Sequence, residues 1–459
     1  MNEETPRVNR FTGHTHENIK KQSMPVIIST ILMMSNALVD SGWIAALGVN
    51  QLAALGYVTP LLFIIIGFGN GIGDGVSTLI ARCIGIDDKE AAENAGLHGM
   101  FLAVIMGIVL PIILVLLFKP TIYFLGGSGI YDYAYQYAFI TFLCSFTYYF
   151  LGIGSGILRG SSECKRSAWA LTITSILNMI LDPIFIFVFK LGMQGAAIAT
   201  VISTLVGVLI IYHWLVLEHN DKYLHFHFRD FRPNFTIIKE ILKVGIPSCM
   251  DKAITQVTGL IAVMLLAFMA GTAAISAFTV GWRILNLFLV PDIGIATATM
   301  IVCGVAYGSH NYKDFREALR YSLKISMGIS LVLTLILFFF APYVGIFFSN
   351  FNIAPDVLSI LISFLHVGAL LLICSPLLYI TMFIFRGVGK GDYSLLMNAM
   401  HQLVFMILGM LFCVYWLKMG EIGIWWGFVI GTLLGSVFNY VIFRRFYVKL
   451  IHEWHIAKP

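Results

Sequence analysis

The chain of 459 residues is 59% hydrophobic and only 12% charged, with a mean hydropathy of +0.87, where a soluble globule would carry charge on about a quarter of its residues. That balance excludes a water-soluble enzyme or binding module and describes a polytopic, all-α membrane protein. The net charge of +5 does not point to nucleic acid, because the basic residues stand at the ends of apolar segments, where a membrane protein places them.

Hydropathy predicts twelve transmembrane helices, at about 23–48, 54–84, 95–118, 131–157, 167–190, 194–217, 238–269, 273–306, 320–341, 356–385, 394–417 and 421–447, since about 20 apolar residues cross a bilayer. The first 22 residues are a polar tail without the apolar core of a cleavable signal peptide, so span one is expected to act as its own signal. Of the 29 lysines and arginines, 24 fall on the tails and alternate loops that share one side, against only Lys119, Lys190 and Lys418 on the other. Both termini, residues 448–459 included, are therefore expected to be cytoplasmic in a multi-pass protein of the plasma membrane.

Span one carries Asp40. Span two contains Gly67-Phe-Gly-Asn-Gly-Ile-Gly-Asp-Gly75, which superficially matches a phosphate-binding glycine loop but follows no soluble strand. Close helix packing or a hinge is the better reading of it. Span four contributes Tyr137. Span five holds Ser175-Ile-Leu-Asn-Met-Ile-Leu-Asp-Pro183, which sets Asn178 and Asp182 four residues apart on one helix face. Pro183 leaves a carbonyl one turn back without its usual donor. A charged residue at that depth costs about 2.5 to 3.5 kcal/mol on insertion scales, so it usually marks an ion or substrate path. Span six adds Thr200.

The polar stretch 218–237 reads as a linker between an N-terminal lobe (23–217) and a C-terminal lobe (238–447). Its His225-Phe-His227, like His14 and His16, is read as solvated rather than metal-binding. In span seven Asp251 and Lys252 follow Pro247, with Gln256 one turn on; pairing with neighbours and substrate binding stand as equal readings. Arg283 and Asp292 in span eight are read as helix ties, and His366 and His401 as satisfied core residues. The seven cysteines, scattered and without Cys-x-x-Cys, are read as packing residues, with no metal site or cofactor expected.

A shift of about 221 to 228 residues lays the second half on the first. Ile157-Leu-Arg-Gly160 meets Ile384-Phe-Arg-Gly387, and Leu191-Gly-Met-Gln-Gly195 meets Met419-Gly-Glu-Ile-Gly423. Six spans per half make the repeats parallel, related by a pseudo-two-fold along the membrane normal. Arg159 and Arg386 then occupy equivalent helix ends, where each is expected to snorkel or cap carbonyls. Asp40, however, aligns with Ile261 or Ala262, Asn178 with Phe405, Asp182 with Gly409 and Thr200 with Phe428. The N-terminal lobe alone keeps these polar groups, which argues for a site over a helix tie. Counted from the outer ends of their spans, Asp40, Asp182, Thr200 and Tyr137 share one layer at a depth of roughly 9 to 12 Å, at about 1.5 Å per residue. Two carboxylates, an amide and hydroxyls suit Na+, or a proton shared between crowded carboxylates.

These residues are where the sequence resembles the MATE family, the multidrug and toxic compound extrusion transporters. The ordered set is Val39-Asp-Ser-Gly-Trp-Ile-Ala-Ala-Leu-Gly48, Gly156-Ile-Leu-Arg-Gly160, Asn178-x-x-x-Asp182-Pro183, Gly195-Ala-Ala-Ile-Ala-Thr200 and Arg283-Ile with Pro291. The resemblance implies two six-helix lobes forming a V-shaped cleft, and a monomeric antiporter exporting amphipathic, often cationic compounds against Na+ or H+. It also implies an N-lobe cation site at Asp40, Asn178, Asp182 and Thr200, as in the prokaryotic DinF-like branch. A C-lobe ion site of the kind another branch builds on spans seven and ten is not expected, because span ten has no acid after Asp356. A flippase for lipid-linked or polyisoprenoid sugars is the alternative; its anionic substrates would call for many intramembrane bases, which are few. A membrane-embedded enzyme would need a paired motif such as His-Glu-x-x-His, and the sequence has none.

Overall fold

The computed structural model describes residues 14–124, 128–218, 224–226, 231–349 and 355–456. His227 and Lys222 of the linker lie outside these. The described residues form an all-helical chain: α1 Thr15–Ala45, α2 Val49–Gly85, α3 Lys89–Phe124, α4 Tyr131–Leu143, α5 Phe146–Gly160, α6 Cys164–Pro183 and α7 Gly192–Tyr212 in the first half. In the second half come α8 Phe235–Met269, α9 Gly271–Gly308, α10 Tyr312–Ser349, α11 Pro355–Ala369, α12 Leu371–Gly387, α13 Gly391–Ala399, α14 Ile407–Leu411 and α15 Glu421–Ile456. Wider π-helical turns follow α6 (Ile184–Val188) and α7 (His213–Leu217) and flank α14 (Met400–Met406, Phe412–Trp416).

Ten of these runs are long and apolar enough to cross a membrane, and twelve spans result when two bent pairs are each counted as one. The pairs are α4 with α5, bent by 48°, and α11 with α12, bent by 49°; they correspond to the expected spans four and ten. Neither break has a proline in it. The chain turns there through tighter i to i+3 hydrogen bonds, Ser145 N–H to the Phe142 carbonyl and Leu370 N–H to that of Val367.

The internal repeat is written into the backbone. Positive φ recurs at Asp87 and His310, at Ser162 and Gly389, at Lys190 and Lys418, and at Gly192 and Gly420, pairs separated by the same offsets as the sequence matches. At Gly192 (φ 54°) and Gly420 (φ 63°) the left-handed conformation favours glycine, and it reverses the chain between helices in both halves.

The chain divides into two compact units, residues 24–249 and residues 1–23 with 250–459. The boundaries thus fall inside α1 and α8. The start of α8 packs on α2: a side chain at Gly75 would collide with the Ile241 carbonyl, and Arg82 reaches Glu240 at 3.4 Å. The start of α1 packs on α10, where the His16 ring stacks on Tyr321 at 4.0 Å and its Nε2 lies 3.3 Å from Glu317. His16, read as solvated from sequence, therefore has partners.

The glycine run of α2 is a packing seam. A Cβ at Gly73 would stand 2.5 Å from the Gly152 carbonyl oxygen, one at Gly69 2.8 Å from that of Tyr148, and one at Gly160 2.7 Å from that of Ser77. Backbone meets backbone along α2 and α5, as small residues allow within a bilayer. The second unit is cored instead by aromatic rings: Phe278 lies 5.8 Å from Trp425 and 5.9 Å from Phe428, and Phe364 lies 4.8 Å from Trp425. None of the seven cysteines is joined in a disulfide, and five of them are buried.

Candidate functional site

In α6 the i, i+4 spacing places Asn178 and Asp182 together, and both are buried, Asp182 with no exposed surface at all. Asn178 Nδ2 donates to Asp182 Oδ1 at 2.8 Å. Pro183 has no N–H to give the carbonyl one turn back, and beyond it the helix widens into a π turn, where Phe189 N–H reaches the Ile184 carbonyl at 2.9 Å.

Three further helices complete the cluster. From α1, Asn36 Nδ2 donates to Asn178 Oδ1 at 2.8 Å, and Asp40 follows one turn later. From α7, Thr200 Oγ1 lies 3.4 Å from Asn178 Nδ2 and itself donates to the Ala196 carbonyl. Tyr137 of α4 is buried with its hydroxyl in bonding reach of Thr200, and within electrostatic reach of Asp40 and Asp182. The two carboxylates are in turn within reach of each other. All five residues expected from sequence are therefore brought together in one unit.

Sequence reasoning missed two members. Asn36 carried a signal, because Asn36 and Asp40 repeat the Asn-x-x-x-Asp spacing of Asn178 and Asp182. Tyr148, within electrostatic reach of both aspartates, carried none, being one tyrosine in an aromatic run.

The hydrogen-bond inventory of the cluster is incomplete. Asp40 Oδ1, Asp182 Oδ2 and Asn36 Oδ1 are each buried without a hydrogen-bond partner. Three acceptors are thus unmatched, two of them carboxylate oxygens, a type of atom that hard cations and protons take up. Leaving a buried acceptor unmatched costs about 1 to 3 kcal/mol. The corresponding region of the other unit is apolar, with Phe428 and Trp425 fully buried in its ring cluster.

Asp251 has a different environment. It is buried beside Arg386, whose guanidinium hydrogen-bonds Asp251 Oδ2, donates through Nε to Ser394 Oγ at 3.0 Å and lies over the Phe383 ring. Asn398 Nδ2 donates to the Asp251 carbonyl at 3.2 Å. Of the two readings open from sequence, the structure realises the pairing. Lys252 and Gln256 lie on an exposed face of the same helix. Arg159, the repeat partner of Arg386, is also buried and sits 3.3 Å from Asp74. The expected snorkelling is thus corrected at both ends: a guanidinium enclosed in the protein keeps its charge by pairing with a carboxylate. His401 is buried against Thr432 at 3.2 Å, and His366 packs on Phe338 at 4.8 Å. A groove of about 1050 Å³ opens elsewhere, between His16 and Arg316, Arg320 and Lys324 of α10. None of the cluster residues lines it.

The MatE family model matches residues 25–184 and 247–416. A FAD transporter of Shewanella oneidensis is 27% identical over 339 residues, 72% of this chain and 73% of its own. A probable multidrug resistance protein NorM of Thermotoga maritima is 23% identical over 336 residues, 72% of each chain. Among solved structures, an outward-facing multidrug resistance MATE family transporter of the MOP superfamily superposes with a TM-score of 0.93 at 32% identity, covering 97% of this chain and 98% of that one. Two matched segments that together span most of the chain, and a fold shared over nearly its whole length, place this multi-pass membrane protein among transporters rather than enzymes: it belongs to the MATE family.

Proposed function

We propose that the chain is a secondary antiporter of the cell membrane that exports amphipathic, cationic organic compounds, driven by Na+ or H+ entering at Asp40, Asn178, Asp182, Thr200 and Tyr137. The observation that carries this is the set of orphaned oxygens on Asn36, Asp40 and Asp182, which a bound cation would satisfy together. Two ionised carboxylates in a low dielectric repel, and a cation between them turns repulsion into attraction. Binding draws α1 toward α6; release lets it relax. Cation and cargo then compete for two positions of one helix, and that competition is the coupling. Release occurs to the cytoplasm, on the side where both termini lie, in keeping with the distribution of lysine and arginine.

Proteoliposomes under separately imposed Na+ and H+ gradients test the reading. Asp40→Asn and Asp182→Asn protein, folded and inserted, should still bind an organic cation but lose its uphill export, and the gradient that drives wild-type export names the ion. Near wild-type uphill export by Asp40→Asn protein would sink the N-terminal coupling site. FAD, the cargo named for the Shewanella oneidensis relative, is the contrasting anionic cargo. Export of FAD without export of organic cations would overturn the substrate class.

A further inference from the structure

The second unit has a polar centre of its own, on helices that take no part in the first. Asp292 of α9 is 1% exposed, and its carboxylate faces three serines. Ser330 of α10 lies 2.8 Å from both carboxylate oxygens, Ser326 one turn earlier reaches Oδ1, and Ser375 of α12 reaches Oδ2. Among the described residues no lysine, arginine or histidine bonds to it. Arg283, read from sequence as its companion in tying helices, is not among its partners. The titratable group in electrostatic reach is Tyr379, one turn beyond Ser375 on α12. His366 of α11 faces Phe338, and Arg386 further along α12 is held by Asp251.

Counting hydrogens decides the state of this carboxyl. Pro376 has no N–H, so the carbonyl of Leu372, four residues earlier, lacks its helical donor. Ser375 Oγ supplies the replacement, 2.8 Å from that carbonyl. A serine hydroxyl carries one proton and here has two acceptors in reach, the Leu372 carbonyl and Asp292 Oδ2; we assign it to the carbonyl, which the proline deprives of its helical donor. The contact between Ser375 Oγ and Asp292 Oδ2 then requires a hydrogen from the aspartate. With a proton on Oδ2 the chain closes: Asp292 donates to Ser375, Ser375 donates to Leu372, and Ser326 and Ser330 donate to the carboxyl. Without that proton one contact is unmatched, and a net negative charge lies buried with no base beside it.

The repeat argues that this is no tie demanded by the fold. A shift of about 223 to 227 residues puts Gly69, Ala103, Gly107 and Tyr148 at the places of Asp292, Ser326, Ser330 and Ser375. The first unit closes the same helices with glycine contacts and no charge. Each unit therefore has a buried carboxyl centre apart from its Arg–Asp pair, built on a different set of helices. We propose that Asp292, with Ser326, Ser330 and Ser375, is a second proton-carrying site of the transporter, separate from the α1, α6 and α7 cluster, and that it loads and releases its proton within the transport cycle.

Infrared difference spectroscopy on the reconstituted protein, between acid and alkaline buffer, tests this through the C=O stretch of a protonated carboxylic acid. Wild-type and Asp40→Asn protein should show a component that Asp292→Asn lacks, and Asp292→Asn should move fewer protons per molecule exported. Ser375→Ala should keep the component at a displaced frequency, because the proton loses its acceptor; this variant carries the test where Asp292→Asn does not fold. A spectrum unchanged by both variants would overturn the proposal. So would loss of the component on adding sodium at constant pH, which would make the site a sodium site. Loss of the component in Asp40→Asn with retention in Asp292→Asn would assign the proton to the other unit, leaving the first site standing and this one refuted.

Discussion

Replacing Asp251 by leucine while Arg386 remains takes the carboxylate from a guanidinium that is 4% exposed, beside Phe383 and Ser394. Breaking a buried pair from one side costs about 3 to 5 kcal/mol, because the remaining charge, already out of water, loses its carboxylate. Against a total stability of about 5 to 15 kcal/mol, that is a large fraction. At about 2 to 4 °C per kcal/mol for a unit of this size, the midpoint of heat inactivation should fall by about 6 to 20 °C. Removing both charges, as Asp251→Leu with Arg386→Met, should restore most of the loss, since apolar replacement of a whole buried pair is often neutral. The assay is the fraction of detergent-purified protein that stays monodisperse after heating, followed by uphill export from proteoliposomes. An Asp251→Leu protein as stable as wild type would refute the pairing argument. A double variant that is stable but cannot export would refute it differently, by making Asp251 part of the transport machinery.

Gly73→Leu should lower the yield of folded protein, since even its Cβ would stand 2.5 Å from the Gly152 carbonyl and overpacking costs about 1 to 3 kcal/mol. Gly328→Ala, with nothing within 4 Å, is the control and should heat-inactivate like wild type in the same monodispersity assay. A cysteine placed at position 222 in a cysteine-free background should react in intact cells with a membrane-permeant maleimide and not with an impermeant one; the reverse would invert the topology.

The spans and the repeat were legible because apolar length and repeated turn residues are local properties, and the turn at Lys190 and Gly192 returns in the same conformation at Lys418 and Gly420. The bends inside spans four and ten were not, since hydropathy runs unbroken through Ser145 and Leu370 and no proline marks the turn. Asp40, Asn178 and Asp182 announced themselves as charge and amide at membrane depth. The Asp292 centre did not, because its serines come from 34 to 83 residues away and single serines are unremarked in apolar helices. The equivalence of Arg159 and Arg386 was visible, but their partners were not: Asp74 comes from α2 and Asp251 from α8, so the repeat conserves the cation and not the source of its counterion.

The seam between α2 and α5 has a mechanical consequence. Helices separated by side chains can slide, because rotamers give way; helices whose backbones touch have no such cushion, and sliding one along the other would drive carbonyl into carbonyl. Gly69, Gly73, Gly152 and Gly160 thus make α2 and α5 a single stiff beam. In the most apolar stretch of α1, by contrast, only 17% of the residues are buried, so fewer side chains brace that helix. α1 is thus among the least enclosed helices of this unit. In the proposed cycle, work done by an arriving cation would go into bending α1 against a frame that does not yield, with little dissipated in deforming the frame itself.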